Sequence, residues 1–162
     1  MVAAITGPEA EHLATHRTYL NDDAGIWRKA SLRDARKVLG SYAGGFVPIW
    51  RGASAIPLRA APDGETVAIA EGIETALSVA LVAPELRVLA AVSLSNLGRM
   101  VLPETVRSVI ICADNDAPES PAALALVRAI DCFAAQGREV RMARSPTGKD
   151  FNDAITAEES SA

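Results

Sequence analysis

From residue 65 onward, short apolar runs alternate with longer stretches whose apolar positions recur at helical spacing. The apolar runs predict four strands, at residues 66–70, 88–92, 108–113 and 139–143. The longer stretches predict helices at residues 73–82 and 121–135, with a shorter helical turn at residues 96–101. Near-continuous apolar strands are typical of sheets covered on both faces. We therefore predict an α/β fold in which an open, mainly parallel four-stranded sheet is flanked by helices.

The first 60 residues have shorter apolar runs and more turn residues. Residues 13–20 and 26–30 predict the two strands of a hairpin, because the sequence NDDAG between them favours a turn. Residues 46–50 and 56–59 predict two further short strands. We expect a small α+β segment that precedes the α/β domain.

A short helix is predicted after Ser31. The Ser31 hydroxyl can accept a hydrogen bond from a free main-chain N–H, and Asp34 stands three residues later, as in a capping box. Gly40 ends the pattern. The apolar face of this predicted helix consists of Leu32, Ala35, Val38 and Leu39.

Length and composition indicate one globular domain with an attached segment. The 162 residues are 49% hydrophobic and 22% charged, which is unlike a disordered chain. We predict an N-terminal segment at residues 1–60, the α/β domain at 61–156 and a flexible tail at 157–162. No apolar run is long enough to span a membrane and no secretory signal is present, so we expect no membrane partner. Cys112 and Cys132 show no metal-ligand or disulfide spacing, which favours reduced thiols and a cytoplasmic location.

Charge is divided unevenly along the chain. Eight basic against five acidic side chains up to Ala60 give +3, and eight against fifteen beyond it give −7. Two interpretations are open: the basic half meets a polyanion, or it is an ordinary solvated surface. The candidates for contact with nucleic-acid phosphate are Arg17, Arg28, Lys29, Arg33, Arg36 and Lys37.

Acidic side chains directly follow two of the predicted strands. Glu71 comes after the first strand, and Asp114 and Asp116 come after the third. In an open α/β sheet, ligands bind at the carboxyl ends of the strands, and closely spaced carboxylates are suited to Mg²⁺. The competing interpretation is that these acids only cap the helices that follow.

The combination of these acids with their neighbours resembles the Toprim fold of bacterial-type primases, type IA and type II topoisomerases and several nucleases. The resemblance rests on EGIETAL at residues 71–77 and IICADND at residues 110–116. The sequences SLSNL at residues 93–97 and GKDFND at residues 148–153 are most similar to the Toprim module of phage- and plasmid-type primases and primase-helicases. The resemblance extends from residue 65 to about residue 155, and APES at residues 117–120 stands where the family usually has a glycine.

The resemblance implies roles for individual residues. Glu71 matches the Toprim glutamate, as a further metal ligand or a general base, and Asp114 and Asp116 match the two metal-binding aspartates. Glu74 stands where many primases have a second acid and is a third candidate metal ligand, although it could instead complement the helix N-terminus. The implied cofactor is Mg²⁺ or Mn²⁺.

Lys149 and Asp150 follow the last predicted strand. Lys149 could contact a phosphate and Asp150 could complete the metal shell, whereas the alternative is a loop in which Asp150 or Asn152 caps a final helix. The sequence around Lys149 lacks the first glycine and the final Ser/Thr of a Walker A loop.

The function implied by the resemblance is the Toprim module of a DNA primase-like protein of a mobile element. Such a module would carry out Mg²⁺-dependent nucleotidyl transfer on a single-stranded DNA template, with nucleotides as substrates and a helicase or larger primase polypeptide as a possible partner. The alternatives are a metal-dependent Toprim nuclease and a non-catalytic module that binds nucleic acid or protein. The chain lacks the tyrosine domain of a topoisomerase.

Overall fold

The computed structural model describes residues 1–159, which form a central sheet, a second smaller sheet and a hairpin. The strands are β1 Val2–Thr6, β2 His12–Thr18, β3 Leu20–Asp23, β4 Ile26–Lys29, β5 Arg36–Gly40, β6 Val47–Arg51, β7 Glu65–Ala70, β8 Arg87–Ala90, β9 Val106–Ala113 and β10 Glu139–Arg144. The helices are α1 Ile73–Val82, α2 Leu94–Leu97, α3 Pro121–Ala135 and α4 Phe151–Glu159, with a 3₁₀ turn at Leu58–Ala60. Within residues 1–159, no helix combines the length and the hydrophobicity needed to cross a bilayer.

The central sheet has the strand order β10-β9-β7-β8-β6. Its first four strands are parallel and correspond to the four predicted strands, and β6 adds an antiparallel edge beside β8. The predicted α/β architecture is confirmed, and the fifth strand comes from the predicted N-terminal segment. Helices α1 and α3 have the predicted boundaries, whereas α2 begins two residues before the predicted turn. Residues 160–162 of the predicted tail lie outside the described residues.

Alternation along the parallel strands divides the apolar interior into two layers. Side chains of successive strand residues point to opposite faces, so Val67 and Ile69 pack on one side and Ala68 and Ala70 on the other. The first layer also holds the apolar side of α3, including Leu126 and Phe133. The second layer is closed by side chains of α1 and of the small sheet: Ile73, Ala76, Val79, Ile5 and Ala14.

The predicted helix at residues 31–39 is wrong. Residues 31–35 form a turn, and Arg36–Gly40 is strand β5, which pairs antiparallel with β2. The reason is tertiary: β2 offers an unpaired edge, and a strand places Val38 opposite His16 on the buried face of the small sheet. Local capping chemistry at Ser31 is weaker than this pairing because isolated short helices are marginal in water.

Two other predictions for the N-terminal segment require correction. The strand predicted at residues 56–59 is a 3₁₀ turn that buries Leu58, and Pro57 before it lacks the N–H that a strand ladder requires. The predicted strand at residues 13–20 is broken after Thr18, and the hairpin partner of β4 is the separate strand β3. The hairpin turn is the residue pair Ala24-Gly25, both at positive φ, as expected for a two-residue hairpin loop.

A buried amide joins the N-terminal segment to the α/β sheet. Asn96 on α2 accepts a hydrogen bond from the Gly44 main-chain N–H at 2.9 Å. Its Nδ2 donates to the main-chain oxygens of Gly45 and Ala91, both at 2.8 Å. Asn96 is 3% exposed, so all three main-chain groups would lose their partners without it.

We expect Asn96→Ala to destabilise the fold by about 3 kcal/mol, because buried polar groups left without hydrogen bonds are costly. Urea denaturation of the wild type and the variant measures the change. Ser95→Ala is the matched control, since Ser95 is an exposed neighbour on the same helix and its loss should change stability by less than about 0.5 kcal/mol. Equal stability of Asn96→Ala and wild type would contradict the role of the amide.

Candidate active site at the carboxyl ends of the strands

The predicted acids come together at one edge of the central sheet. Strands β7 and β9 are parallel neighbours in the register Ala70↔Cys112, so the residues that follow them leave the sheet at the same edge. Glu71, Asp114 and Asp116 line a common cavity of about 20 Å³. The remaining wall is largely apolar and includes Leu94, Leu97, Ile111 and Leu126.

The cavity is electrostatically crowded. Burial raises the pKa of Asp114, and the negative charges of Asp150, Glu71 and Asp116 raise it further, while Lys149 opposes them. Like charges in a poorly solvated cavity disfavour the ionised carboxylate. A cation placed among these groups would relieve that repulsion.

The residues at this cavity fit a divalent metal of the kind that Toprim chemistry implies. Across residues 1–159, no three acidic, histidine or cysteine side chains are already arranged around one metal position. Mg²⁺ does not require such a cage, because it commonly takes one or two carboxylates and completes its octahedron with waters and substrate phosphates. The cavity volume suits one water molecule or one ion of similar size. Asp114 and Asp116 are therefore the residues that could hold the ion.

Asn115, between the two aspartates, anchors the loop that carries Lys149. Its main-chain N–H donates to the Lys149 oxygen at 2.7 Å, and its Nδ2 donates to the main-chain oxygens of Ser145 and Gly148, both at 3.0 Å. These bonds bring residues 145–150 to the edge of the cavity. Asn115 is not among the site residues predicted from the sequence, although an amide between two acids after a buried strand is a recognisable signal.

Asp150 is a helix cap in this structure. Its Oδ1 accepts a hydrogen bond from the Asp153 N–H at 3.0 Å at the start of α4, and the Asp153 carboxylate accepts one from the Lys149 N–H at 2.7 Å. The capping alternative is thus realised for Asp150, whose charge still acts on Asp114. The positive charge of Lys149 lowers the Asp114 pKa, against the effect of the acids, so the ammonium group lies near the acidic cavity.

Arg144 is a second cation at the cavity and is not among the site residues predicted from the sequence. It is the last residue of β10, so it leaves the sheet at the same edge as the acids. Its guanidinium donates a hydrogen bond to the main-chain oxygen of Asp114 and lines the cavity. Its position at the end of a predicted strand was the available signal.

Glu74 faces the N-terminal segment. Its Oε1 accepts a hydrogen bond from Arg36 Nη2 at 2.7 Å, in an ion pair whose side chains are about half exposed. The structure does not bring Glu74, a predicted metal ligand, into the lining of the acidic cavity with Asp114 and Asp116. His16 lies buried beside this pair, and burial lowers its pKa although Glu74 acts in the opposite direction, so the ring is neutral at pH 7.

The candidate basic residues do not form one surface. Arg36 and Thr18 pair across β5 and β2 on the face of the small sheet that also buries His16. Arg17 and Lys37 pair one residue along, so alternation puts them on the opposite face. Arg28 lies on the exposed strand β4, with Lys29 beside it, and Arg33 lies in the exposed turn before β5. Arg36 is therefore the member of this set that the fold brings to Glu74, which lies in the first turn of α1, three residues after Glu71.

The chain enters α3 without the glycine that the family usually has. Glu119 takes a left-handed conformation, with φ of 64°, where a glycine would adopt it without strain. Ser120 then caps α3 by accepting a hydrogen bond from the Ala123 N–H at 3.1 Å, with Pro121 at the first helical position. The turn is thus made by a residue that bears some strain at the edge of the acidic cavity.

A parallel sheet that collects acids from two strand ends and carries a helix after each defines a Toprim-like α/β protein. The profile of the Toprim domain family matches residues 66–161, more than half of the sequence. The chain belongs to the Toprim domain family. A family described as a domain of unknown function matches residues 1–49. No curated protein matches the sequence.

Solved structures of DNA primases share the fold. The chain resembles a DNA primase domain from Pseudomonas aeruginosa with a TM-score of 0.57 and 18% identity over 96% of this chain and 46% of that one. It resembles the primase fragment of the bacteriophage T7 primase-helicase with a TM-score of 0.58 and 16% identity over 99% and 58%. A DnaG primase catalytic domain bound to ssDNA gives a TM-score of 0.60 and 16% identity over 96% and 46%. The chain thus spans about half the length of these structures.

We expect Asp114→Asn to raise the melting temperature at pH 7 when EDTA is present. The Asp114 pKa lies above its usual 3.8 in the folded chain, so ionisation of this group lowers stability as the pH rises through the folded-state pKa. Asparagine removes that effect, and the described residues include no hydrogen bond to the Asp114 carboxylate that the change would break. Thermal unfolding between pH 4 and pH 7, the lower limit being about the ordinary aspartate pKa, should show the advantage of the variant growing with pH.

Asp131→Asn is the control for that measurement. Asp131 is an exposed acid on α3 outside the cavity, so its replacement makes the same charge change without the same crowding. An equal effect of both variants would mean that overall charge, rather than the acidic cavity, determines the change.

Proposed function

We propose that this chain is the Toprim module of a DNA primase-like protein that carries out divalent-metal-dependent nucleotidyl transfer on a nucleic-acid template. The observation that supports this most directly is the common cavity of Glu71, Asp114 and Asp116 at the carboxyl ends of β7 and β9. The DNA primase structures that share the fold support the same assignment. Because the chain spans about half of their length, the complete priming activity is part of the proposal.

In this proposal Asp114 and Asp116 hold Mg²⁺ or Mn²⁺. When bound, the ion supplies charge neutralisation at the attacked phosphate and favours ionisation of the attacking hydroxyl. Glu71 is placed on the same cavity wall and accepts the proton of that hydroxyl. Arg144 and Lys149, the two cations beside the acids, contact phosphate oxygens of the nucleotide, and Asp150 keeps the Lys149 loop at the start of α4.

The proposed partners are a single-stranded DNA template and nucleotides. The N-terminal segment, residues 1–60, and the Toprim domain, residues 61–156, would act together on the template, as their joint sheet and the Asn96 hydrogen bonds suggest. A larger primase polypeptide or a helicase would supply the parts of priming that these residues lack. The two free cysteines suit a reducing compartment, and we propose the cytoplasm.

Primer synthesis with Mg²⁺ or Mn²⁺ on a single-stranded template tests this function. We expect Glu71→Gln, Asp114→Asn and Asp116→Asn each to lower the rate at least about 100-fold, because several kcal/mol of charge stabilisation would be lost. Asp131→Asn, the exposed acid outside the cavity, should retain the wild-type rate.

Two outcomes would overturn the primase assignment. Metal-dependent degradation of the template that requires the same three acids would identify a Toprim nuclease. Absence of both activities, with the fold intact, would identify a non-catalytic module that binds nucleic acid or protein.

We expect Arg36 to contribute to template binding and Lys37 to contribute little. The two residues are adjacent and carry the same charge, but only Arg36 pairs with Glu74, three residues after Glu71. Arg36→Gln should lower the slope of log affinity for single-stranded DNA against log salt by about 0.7, the value for one phosphate contact. Lys37→Gln should leave the slope within error.

Glu74→Gln separates binding from structure in this experiment. It breaks the same exposed ion pair, which is worth no more than about 1 kcal/mol, but it keeps the Arg36 charge. Template binding that falls equally in Arg36→Gln and Glu74→Gln would show that the ion pair acts only by holding the two parts of the fold together.

A further inference from the structure

Two open grooves continue from the acidic cavity around helix α2. The first lies between α2 and α3, has a volume of about 330 Å³ and shares Leu94 with the wall of the acidic cavity. The second lies between α2 and residues 40–43, has a volume of about 400 Å³ and shares Ser95 and Arg99 with the first. The three concavities therefore adjoin one another along α2 and the turn that follows it. We call the two open grooves the α2 path.

The α2 path carries positive charge that the fold does not neutralise. Arg99, in the turn after α2, and Arg128, on α3, both line the first groove, and both are exposed. Within residues 1–159 neither guanidinium pairs with an acid; Arg128 Nε only donates to the Leu124 oxygen of its own helix. In a half of the chain that carries −7, two unpaired arginines in one groove favour an anionic ligand.

Close packing of small residues forms the floor of the first groove. A Cβ added to Gly98 would lie 3.0 Å from the Ala129 Cα, so a larger residue at that position would push the end of α2 away from α3 by a few tenths of an ångström. Ala125 and Ala129 continue the floor. The two arginines therefore line a groove whose other residues include small side chains.

We propose that the α2 path binds the sugar-phosphate backbone of a single nucleic-acid strand that enters or leaves the acidic cavity, with Arg99 and Arg128 as its phosphate contacts. This inference rests on the proposed function, since it gives the strand at the acidic cavity a course across the Toprim domain. A strand fits better than one nucleotide because the path consists of two successive open grooves with Arg99 at their junction. A strand carries a phosphate at every nucleotide, so it can place phosphates in both grooves at once.

The double variant Arg99→Gln/Arg128→Gln tests the path by binding of an oligothymidylate in EDTA, across a range of salt. Two lost phosphate contacts should lower the slope of log affinity against log salt by about 1.4. Between 1 M and 0.1 M salt, the affinity of the variant should therefore rise about 25-fold less than that of the wild type. Arg51→Gln/Arg107→Gln is the matched control. It removes the same charge, but Arg51 and Arg107 lie at the amino ends of the parallel strands, away from the acids.

Cys132 provides a second measurement that does not depend on the arginine variants. It is exposed in the first groove, whereas Cys112 is buried and burial raises the pKa of its thiol to about 11. A maleimide should therefore alkylate Cys132 first, because the thiolate is the reactive form. Bound oligothymidylate should slow that reaction several-fold in the wild type and not in Arg99→Gln/Arg128→Gln.

Because these measurements are made without metal, they separate the path from the proposed catalysis. A reduced slope and protection of Cys132 support the path even if no primer is made. An unchanged slope, an unprotected Cys132 or no binding of oligothymidylate by the wild type overturns the path even if primer synthesis depends on the acids. If Arg99→Gln/Arg128→Gln lost binding of a nucleoside triphosphate but kept binding of oligothymidylate, the proposed path would also be overturned. The groove would then be a nucleotide site.

Discussion

The parallel pairing of β7 with β9 is the constraint on which the candidate site depends. Its register aligns Ala70 with Cys112, so the residues after both strands leave the sheet at one edge and bring three carboxylates to one cavity. The same register keeps Val67 and Ile69 in one apolar layer and Ala68 and Ala70 in the other. A shift by one residue would exchange the two faces of a strand, so the core that stabilises the fold also positions the acids.

Mutual repulsion among the acids affects both the protonation of Asp114 and the stability of the fold. Burial and three neighbouring carboxylates all raise the Asp114 pKa, which means that the chain holds this cavity at some cost in stability. Two cations lie beside this charge: Arg144, which donates to the main chain of Asp114, and Lys149, on the loop anchored by Asn115. Charged groups gathered in a poorly solvated cavity are typical of functional sites rather than of packing.

The N-terminal segment is structurally continuous with the Toprim domain. Its strand β6 forms the antiparallel edge of the central sheet, its small sheet closes the core layer over α1, and its loop at residues 44–45 depends on Asn96. Consequently the cleft between this segment and α2, one of the two grooves of the α2 path, has walls that are held by buried hydrogen bonds. The geometry of a substrate strand relative to the acids would thus depend on interactions far from the reacting atoms.

The sequence by itself determined the parallel core, the helices α1 and α3 and the identity of the acids. Apolar runs that are buried on both faces have few alternatives to a strand, and long periodic segments such as residues 121–135 specify a helix strongly. Near the N-terminus the helix predicted at residues 31–39 is wrong, because Arg36–Gly40 pairs as a strand with the open edge of β2. That pairing outweighs the local capping pattern of Ser31. Short segments have weak local preferences, so their partners decide them.

Only the tertiary structure decided which charged side chains share a surface. Arg36 and Lys37 are neighbours in sequence, but strand alternation sends one toward Glu74 and the other to the opposite face. Arg99 and Arg128 have no local sequence pattern that indicates a binding role, because the groove they share is formed by residues that lie far apart along the chain. Short sequence motifs identify the residues that can carry chemistry. Which of these residues lie together depends on strand order and register, which arise from long-range packing.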